Sequence, residues 1–157
     1  MGQEIERKFL VIGDAWRTDN GIHIRQGYLH SNVNGTVRVR TKGKRAYLTV
    51  KGGLIGITRM EFEYEIPLED ANDILDKLCQ KPLIEKIRHE IHMDGFTWEI
   101  DEFLGENVGL VVAEIELEDE HQEFPKPDWL GKEVSQDARY LNANLVKKPY
   151  SKWNTDE

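Results

Sequence analysis

A mainly β (α+β) fold, a closed antiparallel barrel of eight strands with a few covering helices, is the class that this 157-residue sequence predicts, and three observations predict it. Apolar and polar residues alternate with period 2 through segment after segment. Turn-forming residues separate those segments at hairpin spacing. Helical periodicity occurs in two places only. The length suits a single domain over residues 1–157, able to bury roughly 70% of its unfolded surface without metal or disulfide staples.

Each element has its own justification. EIERKFLV (4–11) sets Ile5 and Phe9 against Glu4, Glu6 and Lys8. GIHIRQGYLH (21–30) and TVRVRTK (36–42), with Val37 and Val39 opposite Arg38 and Arg40, join across Asn34-Gly35. Lys42-Gly43-Lys44 turns the chain into RAYLTVKG (45–52), where Leu48 and Val50 oppose Thr49 and Lys51. GGLIG (52–56) lacks the strand-to-helix setting and the Lys-Ser/Thr ending of a phosphate loop, so it is expected to be a mobile hairpin connection. TRMEFEYEIP (58–67) places Phe62, Tyr64 and Ile66 opposite Arg59, Glu61 and Glu63. LEDANDILDKLCQ (68–80) carries Ala71, Ile74, Leu75 and Leu78 on one face, acids in its first turn and Pro82 beyond its end, and so reads as an amphipathic helix.

LIEKIRHEIHM (83–93) and FTWEIDEF (96–103) turn at Asp94-Gly95, with Ile87, Ile91, Trp98 and Ile100 opposite Lys86, Arg88, Glu99 and Asp101. GLVVAEIELED (109–119) is the eighth strand, with Ile115 and Leu117 against Glu114, Glu116 and Glu118. Residues 119–132, acidic and containing prolines, predict a loop and a short turn. SQDARYLNANLVKK (135–148) has Ala138, Leu141 and Leu145 at helical spacing and ends before Pro149, which predicts the second helix.

Composition excludes several classes of function. A formal net charge of -8 argues against nucleic-acid or anionic-membrane partners, which require a basic excess. No apolar run approaches the ~20 residues of a membrane span. MGQEIERKFLV is charged where a secretory signal needs an apolar core, and the single cysteine, Cys79, has no internal disulfide partner. A reducing, cytoplasmic setting is expected. Cys79 itself suits a small buried hydrophobe near a helix face. His23, His30, His89, His92 and His121 show no zinc-like spacing and are expected on the surface or outer wall. Trp16, Trp98, Trp129 and Trp153 lack the interleaved basic residues of a base-stacking surface, so they are expected to pack under helices or loops.

The charged strand faces carry the functional signal. Most antiparallel sheets solvate such faces, but solvated faces mix signs, and here sign is segregated by strand. Arg38/Arg40 and Lys86/Arg88 are purely basic; Glu4/Glu6, Glu61/Glu63 and Glu114/Glu116 are purely acidic. Charges turned into a lumen survive only if paired or occupied, because an unpaired buried ion costs several kcal/mol. A polyanion with divalent cations satisfies both signs. Guanidinium groups grip phosphate oxygens bidentately, and a Glu-x-Glu pair, with carboxylates roughly 6–7 Å apart on one face, offers the oxygen ligands that Mg²⁺ or Mn²⁺ prefer.

EIERKF (4–9) matches the E-x-E-x-K signature of the triphosphate tunnel metalloenzymes, the CYTH superfamily, and the sequence resembles that family along its length. RQGYL (25–29), VRVR (37–40), LTVK (48–51), RMEFE (59–63), EKIR (85–88), WEIDEF (98–103), AEIELE (113–118) and DARYLN (137–142) follow in the family's order. The chain is most similar to the compact bacterial inorganic triphosphatases. The resemblance implies a closed β-tunnel that hydrolyses the terminal phosphoanhydride of a small-molecule triphosphate, most simply inorganic tripolyphosphate, with two Mg²⁺ or Mn²⁺ ions. Glu4, Glu6, Asp101, Glu114 and Glu116 are its implied metal ligands, and Lys8, Arg40, Asp101 and Glu116 its implied catalytic residues. Lys8, Tyr28, Arg38, Arg40, Lys51, Lys86, Arg88 and Arg139 are the implied substrate contacts, with Lys147 or Lys148 adding another. Glu61 and Glu63 would support the lumen by pairing with those cations, and Glu118 would lie at the tunnel mouth. A monomer or homodimer is expected. Nucleoside or thiamine triphosphate hydrolysis, a class IV adenylyl cyclase and a polyphosphate-binding module without turnover are the alternatives. Two intact acidic pairs disfavour the last, since a mere anion binder gains nothing from carboxylates beside its ligand.

Overall fold

The period-2 segments form one antiparallel sheet that wraps around on itself. In the computed structural model, which describes residues 2–153, the chain runs through β1 (Glu4–Val11), β2 (Ile22–Asn32), β3 (Gly35–Lys42), β4 (Arg45–Gly52), β5 (Thr58–Arg59), β6 (Glu61–Ile66), helix α1 (Leu68–Lys77), β7 (Ile84–Met93), β8 (Phe96–Phe103), β9 (Val111–Glu116), β10 (Leu130–Glu133) and helix α2 (Asn142–Lys147). Strand order is β10-β1-β9-β8-β7-β2-β3-β4-β6, with β5 paired to β1. The Asp94-Gly95 hairpin has φ of 53° and 82° at its two turn residues, the left-handed pair that a two-residue turn of matching twist requires.

Ten strands replace the predicted eight, for two reasons. The predicted strand 58–67 breaks at Met60: Arg59 pairs with Glu4 on β1, whereas Glu61 pairs with Lys51 on β4. One short segment therefore bridges the seam of the barrel, helped by a 3.3 Å hydrogen bond from the Glu61 amide to the Gly2 carbonyl. No continuous ladder joins β6 to β1 among the described residues, so the sheet is not the fully closed barrel expected; β5 spans the gap. The second addition, β10, begins within the predicted loop 119–132 and runs to Glu133; Glu133 pairs with Phe9 and Leu130 with Val11. GGLIG leads into a tight turn in which Ile55 and Thr58 exchange backbone hydrogen bonds of 2.8 and 3.0 Å and the Ile57 carbonyl accepts from the Glu6 amide.

The apolar strand faces point outward; those of β1, β8, β9 and the α1 side of β3 and β4 are covered, whereas Val50, Phe62 and Tyr64 stay exposed. Phe9, Trp98 and Ile115 pack with Trp16, Leu117 and Trp129 from the flanking loops, the Trp98 and Trp129 rings meeting edge to face with centroids 5.3 Å apart. Helix α1 forms where acids Glu69 and Asp70 occupy its first turn and Lys77 its last, matching its dipole. It lays Ala71 and Leu75 over Val39 and Ala46. Past its end, the chain packs so closely on β2 that a Cβ at Gly27 would lie 2.8 Å from the Cys79 Cβ.

The inward face changes character along the barrel. Leu10, Ile84, Phe103 and Val112 continue the same inward rows as Lys8, Lys86, Asp101 and Glu114, and pack with Tyr140, Leu145 and Val146 from the C-terminal segment. This apolar plug fills one end. The segment is not the single helix predicted for 135–148: a 3-10 turn over Ala138–Tyr140 gives way to extended Leu141 (φ −67°, ψ 130°) before α2 begins. No helix among the described residues is long and apolar enough to cross a membrane.

Leu75 is fully buried, so Leu75→Ala is expected to lower unfolding stability by about 2–5 kcal/mol, seen as a lower urea midpoint at unchanged slope.

Candidate active site

The inward rows converge on one cavity of about 720 Å³. Glu4, Glu6 and Lys8 of β1 face Glu114 and Glu116 of β9; Arg38 and Arg40 of β3 adjoin Lys51 of β4 and Glu61 and Glu63 of β6; Lys86 and Arg88 of β7 sit beside Glu99 of β8. Tyr28 lines the same space. Strand alternation explains the convergence: every one of these residues occupies the lumen phase of its strand. Arg59, Glu99, Ser31, Asn32, Asn142 and Asn144 also line the cavity without having been singled out. Strand phase had placed Arg59 and Glu99 on the charged faces without assigning them a role; no periodicity signals the asparagines.

Several predicted residues sit elsewhere. Asp101 lies behind the cavity wall rather than in it, 1% exposed. Both its oxygens are taken by Arg88 (2.8 and 2.9 Å), and Oδ2 also meets Lys86 Nζ at 2.7 Å. This leaves it anchoring the basic wall, without an oxygen turned to a metal. Arg139 binds Asp137 (2.7 Å) and stacks over Tyr140 and Trp153; it is not part of the lining. Between the two C-terminal lysines, Lys147 lines the cavity and Lys148 does not. Glu118 is exposed beyond the end of β9.

Compensation of charge is uneven. Lys51 lies 3.2 Å from Glu4 and 3.3 Å from Glu61, and Arg59 adds a 3.2 Å contact to Glu4. Burial alone would raise Glu4, but Lys51 and Arg59 more than offset it and bring its pKa down to about 2. Glu63 accepts from Thr49 at 2.8 Å and lies 3.6 and 3.5 Å from Arg38 and Arg40. Arg88 spans Asp101 and Glu99, the latter at 3.1 Å. Burial would raise Asp101 too, yet Arg88 and Lys86 hold it well below the usual carboxylate range.

Glu6 and Glu116 are the unbalanced pair, opposite each other across β1 and β9. Burial and then the neighbouring Glu114 and Glu4 push Glu6 well above a normal carboxyl. Glu116 is raised by burial and by Glu4, Glu61 and Glu99, and has no salt-bridge partner among the described residues. Such crowded carboxylates fit a hard divalent cation by donor type and by charge. No three His, Cys, Asp or Glu side chains are already gathered into a metal-holding cluster among the described residues. On the basic side, Arg38 and Arg40 each keep a buried Nε without a hydrogen-bond partner, and burial followed by repulsion from Arg38 and Arg88 lowers Arg40 to about 10. Such donors call for an anion.

The CYTH domain model matches residues 2–150. An inorganic triphosphatase from Acetivibrio thermocellus is 58% identical over 96% of this chain and 97% of its own. An inorganic triphosphatase from Nitrosomonas europaea is 36% identical over 91% of this chain and 96% of its own. A crystal structure of an inorganic triphosphatase superposes with a TM-score of 0.65 at 32% identity, covering 91% of this chain and 93% of that one.

Two outcomes follow from the charge pattern. Asp101→Ala, which strands Lys86 and Arg88, is expected to cost about 3–5 kcal/mol of stability in chemical denaturation. Folded Glu6 keeps its proton above the pH near 4.5 at which an unfolded glutamate releases it, so metal-free protein loses stability as pH rises. With chelator at pH 8, Glu6→Gln should melt above wild type, with the gap closing toward pH 4.5.

With the lumen sidedness, the ordered motifs and this match over nearly its whole length, the chain belongs to the CYTH domain family.

Proposed function

We propose that this protein is a divalent-metal-dependent triphosphatase that hydrolyses the terminal phosphoanhydride of inorganic tripolyphosphate inside the charged barrel. The observation that carries this reading is the juxtaposition, in one cavity, of the partnerless Arg38 and Arg40 Nε donors with Glu6, which Lys8 at 4.0 Å offsets only in part, and Glu116, which has no ion-pair partner among the described residues. Phosphate oxygens satisfy the first group and cations the second. The inorganic triphosphatase relatives support the choice of substrate.

In this reading Lys8, Arg38, Arg40, Lys51, Lys86 and Arg88 bind and orient the phosphate chain, with Tyr28 and Lys147 beside them. Glu4, Glu6, Glu114 and Glu116 hold two ions, Mg²⁺ or Mn²⁺. When bound, these ions supply Lewis-acid charge neutralisation and activation of the attacking water. Lys8, 3.7 Å from Glu114 and 4.0 Å from Glu6, sits between the acidic and basic sides and steadies charge where the reacting phosphoryl group meets the carboxylates. Arg40 and Arg88 stabilise charge developing on that group, a preorganised electrostatic contribution requiring no protein nucleophile. Glu61 and Glu63 fix Lys51, Arg38 and Arg40. Asp101 acts as a positioning residue through Arg88 and Lys86. The working compartment is the reducing cytoplasm, where Cys79 stays a thiol, and the working unit is a monomer or homodimer.

Phosphate release from tripolyphosphate, ATP and thiamine triphosphate with Mg²⁺ or Mn²⁺, beside an assay for cyclic AMP, tests the reading. Tripolyphosphate should be turned over fastest; preference for an organic triphosphate or formation of cyclic AMP assigns one of the other enzymes, and binding without turnover assigns a polyphosphate-binding module. Glu116→Gln should reduce kcat by at least ~100-fold with the melting temperature maintained, as expected for loss of a metal contact. Arg40→Ala should raise KM by roughly 10–100-fold, the scale of a charge-assisted hydrogen bond.

A further inference from the structure

Where the polar lumen meets the apolar plug, five side chains form a network whose polarity is fixed by one of them. Lys86 is 2% exposed and its ammonium group donates to Asp101 Oδ2 at 2.7 Å and to Asn142 Oδ1 at 2.9 Å. An ammonium has only donors, so the Asn142 amide must turn its oxygen, never its nitrogen, toward Lys86. That oxygen accepts a second hydrogen bond from Gln26 Nε2 at 3.0 Å. Gln26, fully buried, is thereby fixed in turn, and the same Nε2 donates to the Tyr28 hydroxyl at 3.2 Å. The arrangement leaves Gln26 Oε1 buried without a partner. A flipped Gln26 would satisfy that oxygen on the Tyr28 hydroxyl but would set it against Asn142 Oδ1. The orphan is the consequence of a polarity imposed from Lys86.

The same logic assigns the outer ends of the network. With its oxygen engaged twice, Asn142 has only its Nδ2 hydrogens left to offer, and no acceptor meets them among the described residues. Tyr28 accepts from Gln26, so its own O–H hydrogen is also uncommitted. Both residues line the cavity. We infer that Asn142 is a phosphate-binding residue: its Nδ2 group donates to a phosphoryl oxygen at the plug end of a bound triphosphate, alongside the Tyr28 hydroxyl. The inference rests on the triphosphatase reading and adds to it a neutral contact from the C-terminal segment. A phosphoryl oxygen only accepts, which is the one polarity these two donors can serve. Burial lowers the Lys86 pKa to about 8, against the opposing pull of Asp101 and Glu114.

Three variants test this. Asn142→Asp keeps an oxygen for Lys86 and Gln26 but replaces the donor with a second acceptor; Asn142→Ala removes the donor without adding charge. Asn144→Asp adds the same charge on the same helix, at a residue whose own Nδ2 already donates to the Ala138 carbonyl at 2.8 Å. The readouts are KM and kcat for tripolyphosphate, and the rise in melting temperature that tripolyphosphate confers in chelator. Asn142→Asp and Asn142→Ala should each raise KM about 10–100-fold, the scale of a lost hydrogen bond to a charged group, with kcat changed less and most of the ligand-induced rise lost; without ligand Asn142→Asp should melt near wild type, whereas Asn142→Ala, which also strands the Lys86 and Gln26 donors, should melt lower. Asn144→Asp should have a smaller effect. An Asn142→Ala KM within twofold of wild type, or an Asn142→Asp effect no greater than that of Asn144→Asp, overturns the inference. Wild-type protein that neither binds nor hydrolyses tripolyphosphate overturns instead the functional reading beneath it.

Discussion

Charge neutrality inside the barrel is the constraint from which the rest of this structure follows. Rows of lysine and arginine and rows of glutamate share one interior, and those that are buried must meet their opposites within a few ångströms or bear a desolvation cost of several kcal/mol. The register of the sheet provides this. It sets Lys51 against Glu4 and Glu61, Arg88 against Asp101, and Lys8 against Glu114. Turning the charges inward obliges the apolar faces to look outward, and these in turn need covering. Helix α1, the Trp16 and Trp129 loops and β10 are the covering, so what would be the core of an ordinary barrel lies around its outside.

Neutrality is incomplete, and the deficits have locations. Asp101 is satisfied to excess by two cations, whereas Glu6 and Glu116 repel their neighbours and Arg38 and Arg40 retain idle donors. A protein selected for stability alone would remove such deficits, and their persistence is the usual mark of a site that gives up folding free energy for binding. Deficits of opposite sign in one cavity distinguish a site for an ion together with a polyanion from a site for either alone.

The sequence made the sidedness legible because its two strand faces differ so sharply. Ile5, Phe9, Trp98 and Ile115 could only be one face, and Glu4, Glu6, Glu99 and Glu114 only the other. Period 2 says which residues share a face, but not how deep along the strand each one sits, so Asp101 looked equivalent to Glu99 although it is sealed behind Arg88 and Lys86. Strand β10 was hidden by its length of four residues and by the proline-rich approach to it. The break at Met60 was hidden because both halves of that segment keep the same phase. In the C-terminal segment, Leu141 has the spacing of a helical residue yet adopts an extended backbone, since packing against the plug overrides a local preference that Asn142 and Asn144 leave weak. Asn142 ends the DARYLN motif but carries no periodic signal; its orientation is set by Lys86, distant in sequence.

The apolar plug makes the barrel a blind well rather than a thoroughfare. Leu10, Ile84, Phe103 and Val112 block one end with Leu145 and Val146 behind them, so whatever enters must depart by the same door. The plug residues therefore also set how deep into the barrel a ligand can reach.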